Sequence, residues 1–328
     1  FFLMVHHKAP HRNWQPDERN REKFKDATFA EPATLFDDYA TRPAALPENK
    51  QTIARDLTPK SDLKRDPPAG LEGKDLIRWK YNRYMQDYLA CVQGVDDNVG
   101  KLLDALDREG IADDTVVIYS TDNGWYLGDL GLYDKRFMYE PGLRTPLIAR
   151  GPGIKQGITP AQFVANIDLA PTFLDLAGLP VPESMQGRSL VPLLRGESPA
   201  DWRTSVYYRY YHSPGDHNTQ AHYGVRTATH KLIYYWNKDA YELFDLVSDP
   251  TEQHNLLFDP AEAATPRVQA VFTELKAEVA RLQKQYGDDG RYADPKTWPK
   301  GDVGGGAPSA AQLGRKTVSE AIAASRPQ

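Results

Sequence analysis

The chain is poor in the features that would cross-link it, anchor it or give it a charged partner. Of its 328 residues one is a cysteine, Cys91. A lone thiol excludes an intrachain disulfide and a cysteine-built zinc site, and it leaves the redox compartment open. No apolar run approaches the roughly 20 residues of a membrane-spanning helix. Forty basic residues stand against 45 acidic ones, and the net charge of −5 gives no electrostatic basis for binding nucleic acid. Internal repeats are absent. What is present is ordinary globular material, 40% hydrophobic and 26% charged, long enough to bury a large core.

The chain opens on Phe1-Phe2-Leu3-Met4-Val5 without an initiator methionine or a basic leader. That run reads as a core strand entered partway, so the expectation is a chain whose N-terminal half is missing. Residues 13 to 73, rich in Pro, Asp, Lys and Arg, read as a long surface excursion with short helices. Asp75 to Arg108 carries Ile77, Tyr81, Tyr84, Tyr88, Val92, Val95 and Val99 at helical spacing, with Gly110 as its stop. Asn166 to Leu174 offers a cap, an early proline and an apolar stripe, closed by Gly178 and Pro180.

From Ser205 the rhythm changes. Val206–Tyr211, Tyr223–Thr227, Lys231–Trp236 and Tyr241–Leu246 read as successive antiparallel strands, followed by a helix over Ala261–Tyr286. The stretch from Gly287 on reads as a weakly ordered tail. The expected organisation is an α/β portion over residues 1–200, an antiparallel sheet with a helix over 201–286, and the tail over 287–328.

One passage carries most of the chemistry. Val116-Val117-Ile118-Tyr119-Ser120 reads as a buried strand that stops at Asp122-Asn123-Gly124, and Lys135-Arg136 follows shortly after. Open α/β sheets bind ligands at such strand ends. A carboxylate and an amide are hard oxygen donors, suited to calcium or magnesium rather than zinc. With a lysine nearby they could hold an oxyanion on a cation. Taken alone, Asp-Asn-Gly is also a common turn.

Asp122-Asn123-Gly124, the segment Gly128-Asp129-Leu130-Gly131-Leu132-Tyr133-Asp134-Lys135-Arg136-Phe137-Met138-Tyr139-Glu140 and Leu143-Arg144-Thr145-Pro146 together resemble the sulfatase family. Val225-Arg226-Thr227, Tyr241–Leu246 and Asp249-Pro250-Thr251-Glu252 resemble its C-terminal subdomain, so the likeness runs to about Leu257. The resemblance implies the C-terminal part of an alkaline-phosphatase-like α/β/α sandwich followed by a small antiparallel α+β subdomain. It implies hydrolysis of a sulfate ester on a sugar or glycan, and an exported or lysosomal parent: periplasmic, secreted or lysosomal.

By the same resemblance Asp122 and Asn123 ligate one calcium ion, Lys135 contacts the sulfate, and His11 contacts it and protonates the departing alcohol. An imidazole's ordinary titration near neutrality suits that task. Arg136, Tyr133, His222 and Arg226 are candidates for contact with sugar hydroxyls, although ordinary structural roles would explain each of them. Asp96-Asp97 reads as a solvated helix face.

Two departures stand out. The family's formylglycine precursor, Cys/Ser-x-Pro/Ala-x-Arg, does not occur, and formylglycine is expected upstream of Phe1. Leu130 stands where related sequences often have histidine. The competing readings are a related phosphate or phosphonate ester hydrolase, and an inactive relic or glycan-binding protein on the same scaffold.

Overall fold

A computed structural model describes residues 1–212 and 217–290. The longest element is α1, Gly73–Arg108. Its apolar stripe faces a cluster that includes Tyr81, Tyr84, Met85 and Cys91, and the helix gives way to Gly110 at φ 69°, as a left-handed glycine past a helix end should.

The other side of that cluster comes from the stretch expected to lie on the surface. Trp14, Ile53, Leu57 and Leu63 are fully buried against α1. Residues 13–73 are therefore core-forming, and beyond turns their helical content is a single five-residue π-turn, Pro59–Leu63. The periodicity is weak because single anchors, separated by turns, do the burying.

After α1, strand β1 (Val117–Ser120) runs into the short hairpin β2 (Tyr126–Leu127) and β3 (Tyr133–Asp134), then α2 (Glu140–Leu143) and β4 (Leu147–Arg150). Strand β1 pairs with β4, antiparallel. It was expected to be a buried strand, but it is only half-buried, with Tyr119 40% exposed. Helices α3 (Leu169–Leu176) and α4 (Val191–Leu194) follow.

The second half is a meander of β5 (Ser205–Tyr210), β6 (His222–Thr227), β7 (His230–Tyr235) and β8 (Ala240–Asp245), hydrogen-bonded in the order β5-β6-β7-β8 and antiparallel throughout. Its alternation separates two cores. Ile233, Tyr235 and Phe244 join Tyr126, Leu130, Phe137, Met138 and Tyr139 on one face. Val225, Leu232 and Leu243 meet Val268, Leu275, Val279 and Leu282 on the other. Those last four belong to α6 (Pro266–Tyr286), which is preceded by the single turn α5 (Pro260–Ala263). The one expected helix is split because Thr265 caps the second, accepting from the Val268 N–H, and Pro266 opens it.

Ala9–Asp289 is one compact unit, and Phe1–Lys8 falls outside it. Phe1–Val5 form no strand, and these residues are 46–80% exposed. A strand needs a neighbour for its ladder, and the apolar pattern alone does not supply one. The expected tail lies, from residue 291, outside the described residues.

Candidate active site at the end of β1

The Asp-Asn-Gly turn is built on close backbone packing. Gly124 N–H donates to the Gly142 carbonyl at 3.1 Å, and Trp125 N–H to the Pro141 carbonyl at 2.8 Å. A Cβ on Gly124 would lie 2.2 Å from the Pro141 oxygen, so only glycine fits. Asn166, at the start of the α3 region, donates its amide N–H to the Asp122 carbonyl.

The Asp122 side chain is exposed, and Thr121 Oγ1 donates to its Oδ1 at 3.3 Å. Asn123 Nδ2 donates to the Gly124 carbonyl at 2.6 Å, which leaves the amide oxygen as the atom able to ligate. These are two hard oxygen donors, whereas calcium takes roughly six to eight. No cluster of three or more His, Cys, Asp or Glu suited to a metal occurs among the described residues. The pair fits a divalent cation in kind and would supply only part of its shell.

Lys135 sits just past β3, and Asp122 acts on its ammonium electrostatically. Burial pushes its pKa below the ordinary lysine value, with Asp134 opposing. The ammonium lies 3.4 Å from Asp134 Oδ1 and 4.7 Å from the centre of the Trp125 ring. The backbone here is unusual: Asp134 and Arg136, on either side of Lys135, have φ of 73° and 144°. Positive φ outside glycine costs on the order of 1–3 kcal/mol per residue and persists where the surroundings enforce it.

Asp134 provides that enforcement. Its carboxylate is 3% exposed and accepts from Lys135 N–H at 3.0 Å, Arg136 Nη1 at 3.0 Å and Gln51 Nε2 at 3.1 Å. Arg136 Nη2 also lies 2.8 Å from His217 Nε2.

His11 comes from the other side of the site. Its exposed ring meets the Trp125 ring edge-on at 6.1 Å. Its Nδ1–H donates to the Arg12 carbonyl at 2.7 Å, which makes Nε2 the basic nitrogen. The loop is clamped by Arg12, which binds Asp62 at 2.7 and 2.9 Å, Asp56 at 2.9 Å and Tyr133 Oη at 2.5 Å.

His11 and Lys135 thus both contact the ring of Trp125, two residues after Asn123, and Arg136 follows Lys135. Three expected sugar contacts are corrected. Tyr133 is 1% exposed, and its hydroxyl is engaged by Arg12 and Asp56. Arg226 is spent on Glu140, at 3.3 Å, and on the Thr227 carbonyl at 2.7 Å. His222 is fully buried among Phe137, Tyr208, Tyr210 and Tyr235. Each of these polar groups completes internal packing. Leu130 is likewise 1% exposed, in the core at φ 54° with Thr34 Oγ1 accepting from its N–H. Asp96 is exposed as expected, while Asp97 accepts from Asn20 at 2.9 Å.

Sequence reasoning missed Trp125, Asp134 and Gln51. The aromatic directly after Asp-Asn-Gly, and an acid directly before the lysine, were the available signals. Cys91 is no nucleophile: it is 4% exposed and burial pushes its thiol pKa up to about 11.

Burial lowers the His222 pKa to about 4, and its Nε2 has no partner among the described residues. The unfolded imidazole titrates near 6.5, so below that pH the unfolded chain binds a proton the native chain refuses. This contribution therefore destabilises as pH falls from about 6.5 to about 4. Between pH 7 and pH 5 the loss should be about 2 kcal/mol. Urea midpoints of the wild type and His222→Gln at both pH values measure it; an equal pH dependence in the two would refute the assignment.

Comparison with known proteins identifies the family. The family model "Sulfatase" matches residues 1–179, and "N-sulphoglucosamine sulphohydrolase, C-terminal" matches residues 128–285. The chain is 42% identical to an N-acetylglucosamine-6-O-sulfatase of Bacteroides thetaiotaomicron, over 88% of this chain and 58% of that protein. It is 34% identical to the human N-acetylglucosamine-6-sulfatase, over 64% of this chain and 35% of that protein. It therefore spans little more than half of the first relative and about a third of the second.

Among solved structures it superposes on BT4656, which was determined with its substrate D-glucosamine-2-N,6-O-disulfate. The TM-score is 0.80 at 41% identity, covering 86% of this chain and 64% of that one. A phosphonate monoester hydrolase from Silicibacter pomeroyi aligns with a TM-score of 0.62 at 28% identity, over 79% of this chain and 54% of that one. The architecture is the alkaline-phosphatase-like fold of these neighbours. On the match over residues 1–179, the chain belongs to the sulfatase family.

Proposed function

We propose that this chain is the C-terminal part of an enzyme that hydrolyses a sulfate ester on an amino sugar, N-acetylglucosamine 6-sulfate being the substrate class its relatives' names suggest. What supports the reading is that the ring of Trp125, which directly follows the Asp122-Asn123-Gly124 turn, contacts both the Lys135 ammonium and the His11 imidazole.

Asp122 and Asn123 would supply two ligands to a divalent cation, calcium by preference for hard oxygens. When bound, the cation polarises the sulfuryl oxygens, and a formylglycine from outside these 328 residues serves as nucleophile. Lys135 binds the sulfate and offsets charge that grows on the bridging oxygen. His11 holds its mobile proton on Nε2 and delivers it to the departing alcohol, because Nδ1 is committed to the Arg12 carbonyl. Arg136, fixed by Asp134 and His217, stands where it could donate to a sugar hydroxyl.

A polypeptide extended upstream to include the nucleophile should release sulfate from N-acetylglucosamine 6-sulfate, lose that activity to a chelator and regain it with calcium. The 328-residue chain alone should give no turnover, since Cys91 is buried and no serine stands in the nucleophile motif. Phosphonate ester cleavage without sulfate release by the extended polypeptide would favour the hydrolase alternative. Metal-dependent sulfate release by the chain alone would overturn the division of labour.

A further inference from the structure

We infer that Trp125 is a positioning residue of this site: its indole holds the Lys135 ammonium in place and takes none of its hydrogens, which leaves those not turned to Asp134 for the sulfate. The inference rests on the sulfatase reading and adds to it a residue outside the ligand set.

The ring itself is fixed. Trp125 Nε1–H donates to Tyr84 Oη at 2.6 Å, and Tyr84 Oη donates in turn to the Tyr126 carbonyl at 3.3 Å. Tyr84 is 1% exposed, so this partner cannot drift. Tyr88 stacks on the indole at 6.5 Å with a 26° tilt, and Trp14 meets it edge-on at 6.5 Å. The Trp125 backbone N–H is held by Pro141.

Around this fixed plane lie the two groups that must act together. Lys135 Nζ lies 4.7 Å from the ring centre, and the His11 ring meets the indole at 6.1 Å and 65°. The nature of the contact matters. A carboxylate attracts the ammonium by accepting its hydrogens, as Asp134 Oδ1 does at 3.4 Å, an oxygen it shares with the Lys135 and Arg136 N–H groups. An aromatic face attracts a cation through its quadrupole and accepts no conventional hydrogen bond. The ring thus locates the ammonium without using its hydrogens, and a sulfate oxygen is the natural partner for the donors that Asp134 does not take.

Competitive acetylation of Lys135 in the 328-residue chain, read by peptide mass spectrometry, tests the clamp directly. Trp125→Leu should speed acetylation of Lys135 by about 5- to 30-fold relative to Lys80. Trp125→Phe, which keeps a ring face but cannot bond Tyr84, should stay within about threefold of wild type. If leucine opens the fold, Lys80 accelerates as well, and the phenylalanine variant decides. Equal Lys135 rates in wild type and Trp125→Leu, or equal acceleration in the phenylalanine and leucine variants, overturn the inference.

The positioning role has its own readout in the extended polypeptide. Trp125→Leu should lower kcat on the sugar sulfate about tenfold with KM little changed, and phenylalanine should restore most of it. An aryl sulfate, whose phenolate leaves without help, should be hardly affected. An equal loss on both esters, or an unchanged kcat, would mean that the indole is only packing. If the wild type turns over neither ester, the sulfatase reading falls while the acetylation rates still judge the clamp.

Discussion

Replacing Lys135 with alanine should lower kcat for sulfate release about 10²- to 10³-fold, the usual cost of losing a preorganised group at a developing negative charge. The loss should fall mainly on kcat. The bridging oxygen gains charge in the transition state, so the ammonium matters most there. Stability should change little. The side chain is a cation held with its pKa depressed by burial, and Asp134 keeps Arg136, Gln51 and the residue-135 N–H when the ammonium is gone. Lys135→Arg should rescue poorly, because a planar fork does not match a slot shaped around a compact charge above a ring. The measurement is steady-state sulfate release by the extended polypeptide beside a urea midpoint. A variant that keeps near-wild-type kcat would remove Lys135 from the mechanism.

The largest stability effect is expected far from Lys135 in sequence. Lys231, on β7, has no exposed surface, and its ammonium lies 2.6 Å from Glu252 Oε1 and 2.8 Å from Glu140 Oε1. Glu252 is 1% exposed, and its other oxygen accepts the Glu140 N–H at 2.6 Å. Burial pushes the Glu252 pKa up, and Lys231 opposes that rise. Lys231→Met keeps the length of the side chain and leaves Glu252 buried without its cation, a loss of about 3–5 kcal/mol. The triple variant with Glu140→Gln and Glu252→Gln should recover part of it, since the penalty belongs to the orphaned carboxylates. Urea unfolding of the three proteins decides, and a loss under about 1 kcal/mol for Lys231→Met would contradict the assigned burial.

Legibility followed local chemistry. The four strands of the meander begin and end within about one residue of their sequence-derived limits, because alternating apolar residues between turns determine both face and length. Helix α1 was legible for the analogous reason, a long stripe at one period. The turn at Asp122-Asn123-Gly124 was legible because an Asp-Asn-Gly sequence favours it.

Partnering was not legible. Tyr133, His222 and Arg226 present the same functional groups whether they face a sugar or a neighbour, and the fold gives each of them a neighbour. Trp14, Ile53, Leu57 and Leu63 carry no period because they anchor separate turns, and so their burial left no pattern to read. Phe1–Val5 is the converse case, a strand-like pattern that forms no strand and stays exposed.

The two-faced meander also ties the site to the lengths of distant loops. In β7 adjacent residues serve different cores, Leu232 toward α6 and Ile233 toward Met138 and Tyr139. The turn into β7 from β6 is only Ala228 and Thr229, with no slack to absorb an extra residue. A single inserted residue there would exchange the two sets of side chains and carry Lys231 away from Glu140, at the end of the segment that begins with Lys135. Natural variation in this hairpin should therefore run to substitution and not to insertion or deletion: its length is heritable information about a reaction centre that it never touches.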